Sequence, residues 1–385
     1  MRELDFLLVN LGEGAMSHGS GGTERACRVL REIQSLNRNC LILGTCGLST
    51  FLKKRQIDLE VKEVDFPRLF HSEMSSFTRF LAYVSCTVSG IQKISDIEPR
   101  IVISASDYFP DVFVALCLKI KYPKVKWVSV VHHQNKIHKG NLRKYIFTVM
   151  TRFLQLISWF IIRIKSDLLL TYDTREGHDI ANSLLLRKMN QKHIMNGLDL
   201  EAINLVLPNV HSPDILLAGG PRISKGVFDL PLLLKELSKT FPEVSVGLAG
   251  QGTLGTISEL MGKLKEGALV HSVHFFGHLE KSELYSLIKG SKVVVSLSYE
   301  EGWGIAIREA LACGRPCVVY DLPAFQDLSS YVYFVPLGDV NALASKVASI
   351  LRNPETYIPP RLNQSFKSWK EVAIDDLRLL QELLN

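Results

Sequence analysis

The chain is 385 residues long and carries 45 Lys and Arg against 39 Asp and Glu, a formal net charge of +6. That length makes about two domains, and a hydrophobic share of 46% allows cores that need no disulfide staples. The mild positive balance favours anionic partners, while the lack of any dense Lys/Arg run interleaved with aromatics excludes a nucleic-acid binder.

Strand-like apolar runs alternate with helical patterns from the start of the chain. In the first half they fall at residues 6–9, 40–43, 101–104, 127–131 and 168–171, and in the second at 215–218, 244–249, 274–276, 293–296, 317–320 and 333–335. Such alternation predicts parallel sheets with helical crossovers, an α/β protein. The spacing is too uneven for an eight-fold barrel, so two doubly wound, Rossmann-like domains are expected. Pro208 and Pro213, with Asn209 and Ser212 between them, mark the boundary, giving domains 1–205 and 206–365. Apolar positions at Trp369, Val372, Ile374, Leu377 and Leu380 predict a closing helix within 366–385.

The seven cysteines, Cys27, Cys40, Cys46, Cys86, Cys117, Cys313 and Cys317, show neither Cys-x-x-Cys nor zinc-type Cys/His spacing. Buried, reduced thiols in a cytoplasmic compartment are expected. The start, Met1-Arg2-Glu3-Leu4-Asp5, passes from charges straight into a strand and does not read as a signal peptide. No uncharged apolar run reaches the roughly 18 residues of a spanning helix.

Residues 296–316 carry the most information: Ser-Leu-Ser-Tyr-Glu-Glu-Gly-Trp-Gly-Ile-Ala-Ile-Arg-Glu-Ala-Leu-Ala-Cys-Gly-Arg-Pro. An apolar strand precedes them, and the helix they contain stops at Gly314 with Pro316 just beyond. Glu301 and Glu309 therefore lie where a parallel strand hands over to a helix, the edge at which open α/β sheets bind ligands. Gly302 and Gly304 let backbone N–H groups approach an anion, and the helix N-terminus adds partial positive charge. Carboxylates beside such a turn suit sugar hydroxyls, because each can accept two hydrogen bonds at once.

This stretch resembles the Glu-x7-Glu signature of retaining glycosyltransferases of the GT-B fold, the large group often called family 4, with Trp303 where the family has Phe. The resemblance extends over nearly the whole chain. It implies two doubly wound domains facing across a cleft, an acceptor-binding N-terminal domain, a nucleotide-sugar-binding C-terminal domain, and a last helix packing back on the first domain. Ser17-His18-Gly19-Ser20-Gly21-Gly22 follows the first strand as a glycine-rich helix opening, an anion site by geometry. In the family such a loop faces the donor phosphates and acceptor, through Gly21 and Gly22 here.

The resemblance further implies that Arg222 and Lys225 grip the donor diphosphate, two residues closer together than in the family's Gly-Arg-x-x-x-x-Lys-Gly. Gly250, in Gly247-Leu248-Ala249-Gly250-Gln251-Gly252, would line the base and ribose pocket. Gly277, in Phe276-Gly277-His278-Leu279, would lie near the nucleobase. His132, with His133 as its adjacent rival, would lie near the donor sugar. Glu301 would hold sugar hydroxyls and Glu309 the ribose, while backbone N–H groups near Gly304 and Ile305 would meet the leaving diphosphate.

No Asp-x-Asp occurs, so a metal-independent reaction is expected, with no cofactor beyond the nucleoside diphosphate sugar as co-substrate. The implied activity is a hexosyltransferase acting on an acceptor hydroxyl, with glycans or lipid-linked saccharides as acceptors. Two other readings keep the fold: a non-catalytic sugar-nucleotide-binding protein, and a GT-B sugar epimerase. Residues 136–165 mix cations (Lys136, Lys139, Arg143, Lys144, Arg152, Arg163, Lys165) with Ile146, Phe147, Phe153, Leu154, Trp159, Phe160 and Ile161. That mixture suits either an anionic membrane surface, at the cytoplasmic face, or a core helix with snorkelling cations.

Overall fold

Strands buried on both faces read as continuous apolar runs, and here such runs build two wholly parallel sheets. The computed structural model describes residues 4–12, 21–65, 76–135, 142–360 and 366–384. The chain divides into one unit of Met1–Gly197 with Trp369–Asn385 and another of Leu198–Ser368.

In the first unit the elements run β1 (Leu4–Asn10), α1 (Gly21–Ser35), β2 (Cys40–Thr45), α2 (Cys46–Lys54), β3 (Val61–Val64), α3 (Ser76–Lys93), β4 (Pro99–Ser104), α4 (Phe109–Lys121), β5 (Lys126–Val131), α5 (Leu142–Lys165), β6 (Leu168–Tyr172), α6 (Arg175–Ala181) and β7 (Gln191–Ile194). Among the described residues this sheet has seven strands in the order β3-β2-β1-β4-β5-β6-β7. The order reverses between β1 and β4, which pair with Leu8 opposite Ile103. One sheet face, with Leu7, Val9, Val102 and Val131, packs into a core with Val114, Leu118, Trp159 and Ile162 from α4 and α5. On the other face, Leu8, Ile103, Val130 and Leu170 meet Val29 and Leu30 of α1.

The second unit runs α7 (Leu200–Leu205), β8 (Ile215–Ala218), α8 (Leu230–Ser238), β9 (Val246–Ala249), α9 (Leu254–Glu266), β10 (Val273–Gly277), α10 (Lys281–Gly290), β11 (Val293–Ser296), α11 (Ile305–Ala312), β12 (Cys317–Tyr320), β13 (Val332–Val335) and α12 (Val340–Arg352). Its described strands form a six-stranded sheet, β10-β9-β8-β11-β12-β13, with the reversal between β8 and β11.

The sequence runs anticipated every strand except β3 and β7. Both are edge strands of the first sheet, and β3 (Val-Lys-Glu-Val) and β7 (Gln-Lys-His-Ile) keep most of their residues only partly buried. An edge strand needs no continuous apolar run, and polar residues there discourage pairing with other chains. The division between units also differs from the expected 205/206. It falls after Gly197, so that α7 belongs with the second unit.

The last helix, α13 (Trp369–Glu382), packs against α1 within the first unit. It buries Trp369, Val372, Leu377 and Leu380, each worth about 1.5–3 kcal/mol when fully removed from water. Arg25 of α1 donates through Nη2 to Asp376 Oδ2 at 2.5 Å and through Nε to the Met195 carbonyl at 3.0 Å. Burial pushes the Asp376 carboxyl up, against the opposing pull of Arg25. The attraction thus only partly offsets the desolvation of the carboxylate. Arg25→Met alone or Asp376→Leu alone should each destabilise the protein by about 3–5 kcal/mol. The double variant should cost clearly less than the sum, as read by urea denaturation of all four proteins.

Candidate active site

The crevice of an open α/β sheet lies where the strand order reverses, because the loops leaving the two neighbouring strands turn to opposite sides. In the second unit those loops follow β8 and β11, and they meet. Lys225 Nζ donates to Glu301 Oε1 at 2.5 Å, and Ser298 Oγ donates to the same oxygen at 2.9 Å. The Lys225 side chain is 23% exposed and that of Glu301 15%, so both remain open to a ligand while most of each is out of water.

Two glycines make this approach sterically allowed. Gly226 adopts φ +63°, and a Cβ there would collide with the Leu297 carbonyl. Gly304 adopts φ +70° as the residue before α11, and a Cβ there would collide with the Phe325 ring. Both conformations are costly for other residues. The two loops are then fastened together. Tyr299 N–H donates to the Ser224 carbonyl at 3.0 Å, and the hydroxyls of Tyr299 and Tyr320 donate to Asp229 Oδ2 at 2.9 and 2.7 Å. Burial, then the bond to Asp229 and its charge, pushes the Tyr299 phenol up to about 12.

Glu309 lies on α11 with its side chain 5% exposed. Its Oε1 accepts from Lys281 Nζ and, at 3.0 Å, from Tyr285 Oη, both on α10. The neighbouring Arg308 lies over the Trp303 ring, 3.9 Å from the ring centroid, and donates to the Trp303 carbonyl and to Asp327 Oδ2. These bonds clamp the Gly302-Trp303-Gly304 turn, so that Gly304 and Ile305 open a helix whose first N–H groups have no intrahelical partner. Arg222 is exposed, and its Nη2 donates to the Gly219 carbonyl at 2.8 Å. Gly250 N–H donates to the Gly277 carbonyl at 2.6 Å, and Gly250 abuts Gly219 and Gly220. The ends of β8, β9 and β10 are thereby drawn together.

In the first unit the loops leaving β1 and β4 flank the other reversal. Gly21 opens α1, exposed, with Gly22 beside it half-buried, whereas Ser17–Ser20 lie outside the described residues. His132 follows β5 and is buried. Its Nε2 lies 2.7 Å from the Ala105 carbonyl, which can only accept, so Nε2 carries the proton and Nδ1 accepts from Tyr172 Oη at 3.2 Å. Both ring nitrogens are thus engaged within the unit. His133 is half-buried, and its carbonyl accepts from Gln155.

Ser298, Lys281, Tyr285 and Asp229 were not singled out in the sequence. Lys281 did leave a signal: it is the first residue of α10, where a cation opposes the helix dipole, so it needs an anionic partner nearby. Among the described residues no group of three or more His, Cys, Asp or Glu side chains is arranged to hold a metal ion, and no helix is long and apolar enough to cross a membrane.

Residues 206–364, nearly the whole second unit, match the family described as Glycosyl transferases group 1. The match lies within the second unit alone. It is similar to a glycogen synthase of Mycobacterium tuberculosis, 25% identical over 236 residues, covering 60% of this chain and 55% of that protein. The chain thus spans about half the length of this curated relative. Among solved structures, sucrose-phosphate synthase of Thermosynechococcus elongatus superposes with a TM-score of 0.80 at 16% identity, covering 99% of both chains. HepE of Anabaena, solved with UDP and glucose, gives 0.73 at 14% identity, covering 98% of this chain and 100% of that one. The fold is therefore the GT-B fold.

The steric account predicts opposite outcomes at two glycines of the family's motifs. Gly226→Ala should destabilise the protein by at least about 1–3 kcal/mol, the cost of a strained backbone position. Gly21→Ala, on a helix with nothing within 4 Å of the new Cβ, should leave stability unchanged or raise it by up to about 1 kcal/mol. Thermal denaturation of both variants checks the contrast.

Proposed function

We propose that the protein is a retaining hexosyltransferase that moves a hexose from a nucleoside diphosphate sugar to an acceptor hydroxyl, without a metal ion. The observation that carries this reading is the Lys225–Glu301 pair at the strand-order reversal of the second sheet, beside the open N-terminus of α11. A diphosphate is the ligand that such a set of donors suits. It can take Lys225 from Glu301 and accept from the Gly304 and Ile305 N–H groups at the head of α11. Arg222, exposed three residues before Lys225, adds a second cation.

Released from Lys225, Glu301 is a carboxylate with two acceptor oxygens for sugar hydroxyls. Glu309, steadied through Oε1 by Lys281 and Tyr285, has Oε2 left to take the ribose hydroxyls. As the bond between the anomeric carbon and the phosphate oxygen breaks, its electron pair goes to the leaving diphosphate. Fixed cations and N–H groups stabilise that charge more in the transition state than in the ground state. The acceptor oxygen bonds the anomeric carbon on the face the diphosphate leaves, and its proton passes to a phosphate oxygen, which keeps the anomeric configuration. The nucleotide found with HepE agrees with this reading. Gly250 and Gly277 would border the base and ribose, and Gly21, Gly22 and His132 would contact the donor sugar or the acceptor. With both His132 nitrogens engaged, its part is to hold the Ala105 backbone, or to exchange one of those bonds for the sugar.

Lys225→Ala should lower turnover by about 10²-fold, as loss of one charge-stabilising donor does, while excess EDTA leaves wild-type activity intact. Activity abolished by EDTA and restored by Mg²⁺ or Mn²⁺ would contradict the metal-free assignment. Glu309→Ala should weaken nucleotide binding as well as turnover. Unchanged donor affinity by calorimetry would remove the ribose role.

A further inference from the structure

We infer that the outward face of α5 is a docking surface for an anionic phospholipid bilayer. This rests on the first unit alone and is independent of the reaction proposed above. Ile146, Phe153, Leu156, Phe160 and Ile164 recur at helical spacing on α5, and all five are exposed, Phe153 by 63% and Phe160 by 55%. Leu184, 77% exposed, lies at the C-terminal end of this stripe, where Arg163 donates to the Leu184 carbonyl. Large apolar side chains contiguous along a 24-residue helix are unusual on a surface that meets only water.

The helix cannot turn this stripe inward, because its opposite face is committed. Gln155 Nε2 donates to Asp107 Oδ2 at 2.8 Å and to the His133 carbonyl at 2.9 Å, and its Oε1 accepts from Asn135 N–H at 3.0 Å. Trp159 Nε1 donates to Asp107 Oδ2 at 2.7 Å. The buried bonds fix the helix rotation and leave the stripe outside.

Charge selects the occupant. Between 142 and 165 the chain has Arg143, Lys144, Arg152, Arg163 and Lys165 and not one Asp or Glu. Two copies of this face pressed together would oppose like charges with no acid to pair them. An anionic bilayer surface attracts the net positive charge of this segment and takes the apolar side chains into the acyl boundary. The helix would lie on the membrane rather than cross it, in line with its five charges.

Flotation with vesicles tests this on the full-length protein. Vesicles of phosphatidylcholine and phosphatidylglycerol in equal parts should carry at least about tenfold more protein than phosphatidylcholine alone, and 1 M salt, with a Debye length of about 3 Å, should release most of it. The double substitution Phe153→Glu with Phe160→Glu should abolish flotation while the thermal midpoint holds. Should that variant be unstable, Phe160→Trp supplies the readout. Its added fluorescence should be quenched by brominated lipid in the anionic vesicles. Flotation indifferent to lipid charge, no flotation, or an unquenched Trp at 160 would overturn the inference. So would a concentration-dependent dimer in light scattering that the double substitution disperses, because the face would then belong to a second copy.

Discussion

Lys225 and Glu301 hold each other across the point where the second sheet reverses its strand order, and most of that unit's local structure serves to bring them there. Strand pairing of β8 with β11 sets two loops side by side, but the loops meet only because Gly226 can sit against the Leu297 carbonyl. Asp229, taking both tyrosine hydroxyls, locks the meeting. Without a ligand the pair neutralises itself in a partly buried place, where either charge alone would be costly. For an anionic ligand the same lysine is already held at Glu301, in the turn that leads into α11. A site of this kind is preorganised without being empty of charge.

The second constraint is the rigidity of the turn that ends in Gly304. Arg308, stacked on Trp303 and tied to Asp327, holds the turn from behind. Lys281 and Tyr285 hold Glu309 from α10. In these arrangements Arg308, Glu309 and Lys281 are buried or half-buried and each meets an opposite charge, so they restrict motion as well as adding stability. The consequence is that the two acids of the signature differ in kind. Glu301 shares its hydrogen-bond-accepting oxygen with a lysine from another loop, whereas Glu309 is set into a helix and a small network.

The signature between 296 and 316 was legible in the sequence because its chemistry lies within one strand–turn–helix, and local order is written locally. Gly226 was legible as part of a motif, but its reason, contact with Leu297 far along the chain, was not. Lys281 and Tyr285 were missed for the same cause: they reach Glu309 from another helix, and no linear spacing records that. The polar edge strands β3 and β7 escaped because pairing on one side, not burial on both, makes them strands. Residues 136–165 read equally well as a membrane-facing or a core segment. The structure shows why, since α5 has two unlike faces, with Trp159 and Gln155 inside and Phe153 and Phe160 exposed.

Hydrogen–deuterium exchange with and without saturating UDP, GDP or ADP bears most directly on the central assignment. If the strand-order reversal of the second sheet binds a nucleoside diphosphate, at least one of the three should protect the backbone at 219–226 and 301–309 together, and should protect 277–281 beside them. Protection confined to other segments, or none with any of the three, would contradict the account.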